Sequence, residues 1–207
     1  MFYDILDKER MDVLPKLSFL KDRFYLAGGT GLALQLGHRD SIDFDFFTKE
    51  SFNTFDLYKE LLEVFGQENI SKILEEKNTL NIVLNGNMKL SFFSYPYLLL
   101  ESLIKEEFLD IAGVADIGCM KLSAVTGRAV EKDYIDLYFI LKQISLSALL
   151  SKAKEKMPDL DPNLILKSLI YFKDVSKENI VFKHNLKVSF DEVRIFLEAE
   201  VKKVVVQ

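Results

Sequence analysis

Asp43 and Asp45 stand two residues apart in the run Ser41-Ile42-Asp43-Phe44-Asp45-Phe46-Phe47, where acidic side chains alternate with aliphatic and aromatic ones. That alternation has the period of a strand, so Asp43, Asp45 and Phe47 share one face and Ile42, Phe44 and Phe46 the other. Two carboxylates so placed have β-carbons roughly 6–7 Å apart, close enough to reach one or two shared divalent cations. Hard oxygen ligands suit magnesium, which can bridge triphosphate oxygens, neutralise charge and hold a phosphorus atom in line with an attacking hydroxyl. Alone, such a pair is weak evidence, because a half-exposed edge strand also carries acids on its wet face.

The neighbours sharpen the case. Gly28-Gly29-Thr30 follows the apolar run Phe24–Ala27 and precedes the helix-forming stretch Thr30–Leu36. Backbone N–H groups and a hydroxyl at such a strand-to-helix junction can hold the phosphates of a nucleotide, although a plain turn would use the same two glycines. The two elements together, fourteen to seventeen residues apart across one short helix, are far more specific than either.

Downstream, Lys121 and Arg128 lie seven residues apart on a helix beginning near Asp116, so they face one direction. A cation there would stabilise charge developing on a triphosphate, and a solvent-facing lysine is the alternative. Asp133 and Asp136 open the next helix at i, i+3 spacing. Asp133 as N-cap and Asp136 at the positive end of the dipole would account for both without chemistry. His38 and Arg39 precede the acidic strand and are placed to contact phosphate or substrate; His38 is read as a structural loop residue. Phe92, Phe93, Tyr95 and Tyr97 are read as core rather than a base-stacking platform, because strand alternation splits them between two faces.

These residues must be positioned by a mixture of strands and helices. Ile5–Leu20 reads as one or two short helices broken at Pro15, Phe24–Ala27 as a buried strand, and Thr30–Leu36 as a helix ended by Gly37 in a left-handed conformation. Ser41–Phe47 follows as a strand, Phe52–Phe65 as a helix, and Leu80–Val83 with Met88–Phe93 as a hairpin around Asn85-Gly86-Asn87. From Asp116 the pattern turns helical: 117–128, 133–143, 147–156, 162–173 and 190–201. The expected organisation is α+β, with a mixed core over 1–113 and a helical region over 114–207 packed on it.

Composition narrows the setting. The 207 residues are enough to bury a real core, and the single cysteine, Cys119, has no intrachain partner, which points to a reducing compartment, the cytoplasm. No apolar run spans a bilayer and the N-terminus lacks a basic secretory start, so no membrane partner is expected. With 27 basic and 32 acidic residues the net charge is −5, so a nucleic-acid substrate requires a local basic patch. The lysines from Lys152 to Lys187 are interrupted by Glu155, Asp159 and Asp161 and read as an ordinary solvated surface.

The stretch from Ala27-Gly28-Gly29-Thr30-Gly31-Leu32-Ala33 through His38-Arg39-Asp40-Ser41-Ile42-Asp43-Phe44-Asp45 to Phe47 resembles the AbiEii/AbiGii-type toxin nucleotidyltransferases of abortive-infection and toxin–antitoxin systems, within the polymerase β-like superfamily. A second match runs from Lys121-Leu122-Ser123-Ala124 through Arg128 to Lys132-Asp133-Tyr134-Ile135-Asp136-Leu137-Tyr138; with the segment Phe92–Tyr97, the likeness spans most of residues 24–142. It implies a polymerase β-like fold and transfer of a nucleoside monophosphate from an NTP to a hydroxyl. Asp43 and Asp45 would hold Mg2+, and Gly28, Gly29 and Thr30 would line the triphosphate. Lys121 and Asp133 would act in catalysis, with Asp133 as a base or orienting Lys121, while Arg39, Arg128 and Asp136 complete the nucleotide-binding set. It further implies a role in phage defence, an RNA (tRNA) or protein acceptor and a cognate antitoxin. One position departs from the superfamily: the strand Met88–Phe93 offers Ser91 where a third carboxylate is often found. The third ligand then comes from Asp133 or Asp136, or metal binding and catalysis are weakened. A small-molecule nucleotidyltransferase and a catalytically silent binding protein of the same fold are the competing expectations.

Overall fold

The computed structural model describes residues 1–206. The chain opens with a 3-10 turn at Tyr3–Ile5, helix α1 (Lys8–Val13) capped by the Asp7 side chain, and a 3-10 run at Leu14–Leu20 with Pro15 in its first turn. Strand β1 (Tyr25–Ala27) passes directly into α2 (Gly28–Leu36), which starts two residues before the stretch expected from the sequence. Gly37 ends α2 at φ 64°, the left-handed cap expected there.

Strand β2 (Phe44–Thr48) begins three residues later than the alternation suggested. The reason is local: the carbonyls of Ile42 and Asp43 are taken by the Arg10 and Thr30 side chains rather than by a neighbouring strand. Asp45 therefore lies within the strand and Asp43 on its irregular approach. Helix α3 (Thr54–Phe65) is capped by Asn53. Strand β3 (Ile70–Glu76) escaped the sequence pattern because only Ile70 of its seven residues is buried, leaving no alternation to read. It pairs with β4 (Thr79–Leu84), which forms the expected hairpin with β5 (Met88–Ser94), turning at Asn85 and Gly86, both with positive φ. Two short strands, β6 (Ile104–Lys105) and β7 (Asp110–Ile111), complete a seven-stranded mixed sheet of order β3-β4-β5-β2-β1-β7-β6. At its centre β2 is antiparallel to β1 and parallel to β5, with Ala27 opposite Asp45 and Asp45 opposite Ser91.

Beyond the sheet come α4 (Val114–Gly127), α5 (Glu131–Leu141), α6 (Leu146–Lys156), α7 (Pro162–Leu169) and α8 (Phe190–Val205), the last with a full capping box between Ser189 and Glu192. The expected helix over 162–173 stops at Leu169. From there to Ser189 the chain is mostly irregular and returns to the other half, where Val181 accepts from the Asp40 N–H and Lys183 donates to the His38 carbonyl.

The two sheet faces bury different cores. Leu26, Phe44, Phe46 and Phe92 pack with α3 and the N-terminal turns, whereas Tyr25 and Ala27 pack with Leu32, Ile117, Leu122 and Ile135 under the helical half. Cys119 is buried in the second core. Among the described residues no helix is long and apolar enough to cross a membrane.

Candidate active site

The turn from β1 into α2 sets the geometry. Gly28 has φ +61°, and a Cβ there would stand 2.6 Å from Asp45 Oδ2, so the Asp45 carboxylate lies directly against the start of α2. Ala27, the N-cap, makes no side-chain bond to the helix, which leaves the first-turn N–H groups available to an anion. Gly29 is close-packed for another reason: a Cβ there would meet Arg39 Nη2 at 2.6 Å. These elements open onto a cleft of about 940 Å³ whose lining includes Gly28, Gly29, Asp43, Asp45, Lys121 and Arg128.

Asp43 and Asp45 form no ion pair among the described residues. Burial pushes the Asp45 carboxyl above its ordinary value; the Ser91 hydroxyl opposes this, the Asp43 charge adds to it, and Lys121 and Lys89 pull the other way. Ser91 lies fully buried beside Asp45 across the β2–β5 register, and its hydroxyl makes no well-aligned hydrogen bond. Among the described residues, no cluster of three or more His, Cys, Asp or Glu side chains is placed to hold a metal ion. Two uncompensated carboxylates nevertheless fit a magnesium ion, which commonly takes one or two protein carboxylates and completes its shell with phosphate oxygens and water.

Behind the cleft lies a buried network of charges. Asp136 accepts from Arg39 Nε at 2.7 Å and Nη2 at 2.9 Å, and lies 2.6 Å from Lys121 Nζ and 2.8 Å from His38 Nε2. Burial alone would raise this carboxyl, but Arg39 and Lys121, with His38, hold it well below the usual carboxylate range. Asp133 takes Lys121 Nζ at 2.6 Å and Arg128 Nε at 2.8 Å. Burial lowers the His38 pKa; as Asp136 is ionised and can only accept, His38 Nε2 carries the proton of a neutral ring.

Several expectations are refined or corrected by this geometry. His38 is the buried structural residue that the sequence suggested. Asp133 is not an N-cap: Val130 holds that position, and Asp133 lies inside the first turn. Asp133 and Asp136 are both fully buried and engaged by cations, Asp136 by Arg39 and Lys121 and Asp133 by Lys121 and Arg128, and neither lines the cleft. Thr30 also turns away from the cleft. It is buried, and its hydroxyl reaches Ser41 Oγ at 2.7 Å and the Asp43 carbonyl, so it braces the acidic segment and does not line the cleft. Arg39 reaches the cleft wall with its guanidinium already committed to Asp136 and the Asp40 carbonyl.

The cleft also contains Lys132, at the start of the second motif's Asp133 segment, and Lys89 and the segment 178–181, to which the sequence reading gave no role. Lys89 shares the strand period of Ser91, a signal present in the sequence. The irregular 178–181 segment carries none.

Asp45 against the start of α2, Asp43 beside it in the cleft and the buried Lys121 alongside form a set suited to a metal-bound triphosphate. Comparison with known proteins agrees: the chain belongs to the family described as nucleotidyl transferase AbiEii toxin, type IV TA system, whose model matches residues 12–185. It is 37% identical over 205 residues to the uncharacterized protein aq_aa25 of Aquifex aeolicus (strain VF5), covering 95% of this chain and 96% of that one. Among solved structures it shares its fold with MenT4, a nucleotidyltransferase toxin from Mycobacterium tuberculosis (TM-score 0.59, 16% identity, 94% of this chain and 82% of that one). It is likewise similar to JHP933 from Helicobacter pylori (TM-score 0.57, 20% identity, 97% and 91% covered). The resemblance read from the motifs is thus the family to which the chain belongs, and its enzyme class is nucleotidyltransferase.

Proposed function

We propose that this protein transfers a nucleoside monophosphate from an NTP to a hydroxyl of an RNA acceptor, as the toxin of a cytoplasmic toxin–antitoxin pair with a role in phage defence. The observation that carries the reading is the contrast between two acid pairs: Asp133 and Asp136 are held by cations, whereas Asp43 and Asp45 face the cleft uncompensated beside the start of α2. Asp43 and Asp45 would hold Mg2+, which when bound supplies charge neutralisation at the triphosphate. The N–H groups at Gly28 and Gly29 receive phosphate oxygens. Lys121, fixed between Asp133 and Asp136, presents its charge in the cleft beside Asp45, and Arg128 adds a second cation at the rim. In the reaction, the acceptor oxygen bonds to the α-phosphorus, the bond from that phosphorus to the β-phosphate oxygen breaks, pyrophosphate leaves, and the hydroxyl proton passes to water.

Two cations at the cleft support a polyanionic acceptor over a polycationic antibiotic. Lys89 makes no ion pair among the described residues, and the Arg128 side chain is 57% exposed. Ser91, standing where a third carboxylate would, supports a second reading: nucleotide binding without transfer.

Incubating the protein with Mg2+, each labelled NTP and total bacterial RNA, against an Asp43→Ala/Asp45→Ala control, tests both. Label entering RNA with the wild type alone supports transfer. NTP binding with no label in RNA, protein or small molecules supports the second reading.

A further inference from the structure

Asp43 lies on backbone outside the sheet, between two consecutive carbonyls that side chains hold. Its own carbonyl accepts from Thr30, and that of Ile42, the residue before it, accepts from Arg10 Nε at 2.7 Å. Arg10 projects from α1 and is 4% exposed. Its Nη2 also reaches the Asn87 carbonyl at 3.4 Å in the β4–β5 turn, and its Nη1 pairs with Asp7. Next to it, Glu9 accepts from the side-chain amides of Asn85 and Asn87 at 3.0 and 2.8 Å. Helix α1 thereby ties the turn that feeds β5 to the approach that feeds β2. A guanidinium suits this place because it stays charged and offers several donors in fixed directions, where an ammonium offers a single point.

We propose that Arg10 is a positioning residue for nucleotidyl transfer: by holding the Ile42 carbonyl it sets where Asp43 stands relative to Asp45. This rests on the reading of Asp43 and Asp45 as the cation-binding pair. The two carboxylates repel one another, and residues 41–43 have no strand ladder to resist their separation. Ile42 is 53% exposed, so little packing restrains the segment from the solvent side. Arg10 acts from outside the cleft, which it does not line, and from outside the stretch matched by the family. Its bond opposes the separation and keeps the pair pre-organised for a cation.

The test uses the full chain with Arg10→Lys and Arg10→Gln. Arg10→Lys keeps a positive charge beside Asp7 and is the deciding variant if Arg10→Gln does not fold. Amide hydrogen exchange of residues 40–46 is expected to quicken roughly tenfold, the scale of one charged hydrogen bond, while Phe190–Val205 is unchanged. A merely structural role would loosen both. Mn2+ binding to the nucleotide-free protein, followed by electron spin resonance, is expected to weaken about three- to tenfold. Unchanged exchange over 40–46, or wild-type Mn2+ affinity in both variants, overturns the proposal. If the wild type and Asp43→Asn bind Mn2+ alike, the reading of the pair falls, and this proposal falls with it.

Discussion

Replacing Gly28 with alanine separates backbone strain from damage to the site. The residue has φ +61°, and forcing a side chain into that left-handed conformation costs about 1–2 kcal/mol. The added Cβ would also stand 2.6 Å from Asp45 Oδ2, and reaching ordinary contact at 3.4 Å requires a retreat of about 0.8 Å. A misplacement near 1 Å at a reacting centre costs on the order of a hundredfold in rate. Gly28→Ala should therefore lose about 1–2 kcal/mol of unfolding free energy in a urea titration and roughly a hundredfold in kcat/KM for nucleotide transfer. Gly86 supplies the control: its φ is +75° with nothing within 4 Å of an added Cβ, so Gly86→Ala carries the strain without the collision. It should lose a similar amount of stability and keep its turnover. Equal turnover in the two variants would refute the placement of Asp45 against the start of α2.

Asp45→Asn should raise stability at neutral pH by roughly 1 kcal/mol in chemical denaturation while abolishing transfer. The folded state raises the pKa of this carboxyl, so the ionised form disfavours folding above the unfolded value, and a loss of stability instead would count against the site. Lys121→Met leaves Asp133 and Asp136 one cation short in a buried setting, with an expected loss of about 3 kcal/mol. Adding Asp133→Asn should recover part of it, and simple additivity in the double-mutant cycle would show that the two groups are not coupled. Two buried groups contribute to the acid limb of the stability profile. His38 and Asp136 both have folded pKa values below their unfolded ones, so each contributes stability that is complete above the unfolded value and lost as pH falls. Denaturation midpoints should decline below about pH 6.5 through His38 and again below about pH 3.9 through Asp136. His38→Gln should remove the first decline and leave the second.

The amino-acid sequence determined the elements whose information is local. Strand period located the strand that carries Asp45, glycine spacing located the β1–α2 turn, Gly37 ended its helix, and Asn85-Gly86 turned its hairpin. Family membership was legible for the same reason, since the motifs that carry it are contiguous. Tertiary structure alone decided which charges are spent and which remain free. Nothing in the residue types distinguishes Asp136 from Asp45; the difference is that Asp136 meets Arg39, ninety-seven residues away, and Lys121, fifteen residues away, while Asp45 forms no ion pair among the described residues. Thr30 and Arg10 follow the same logic, because a hydroxyl or guanidinium declares no partner until folding brings a carbonyl within reach. Strand β3 was hidden because its residues are held by backbone pairing rather than burial. Local periodicity records which face is apolar; the pairing of buried charge depends on three-dimensional proximity, and that is where the unpaired carboxylates of the site were distinguished from the paired ones behind it.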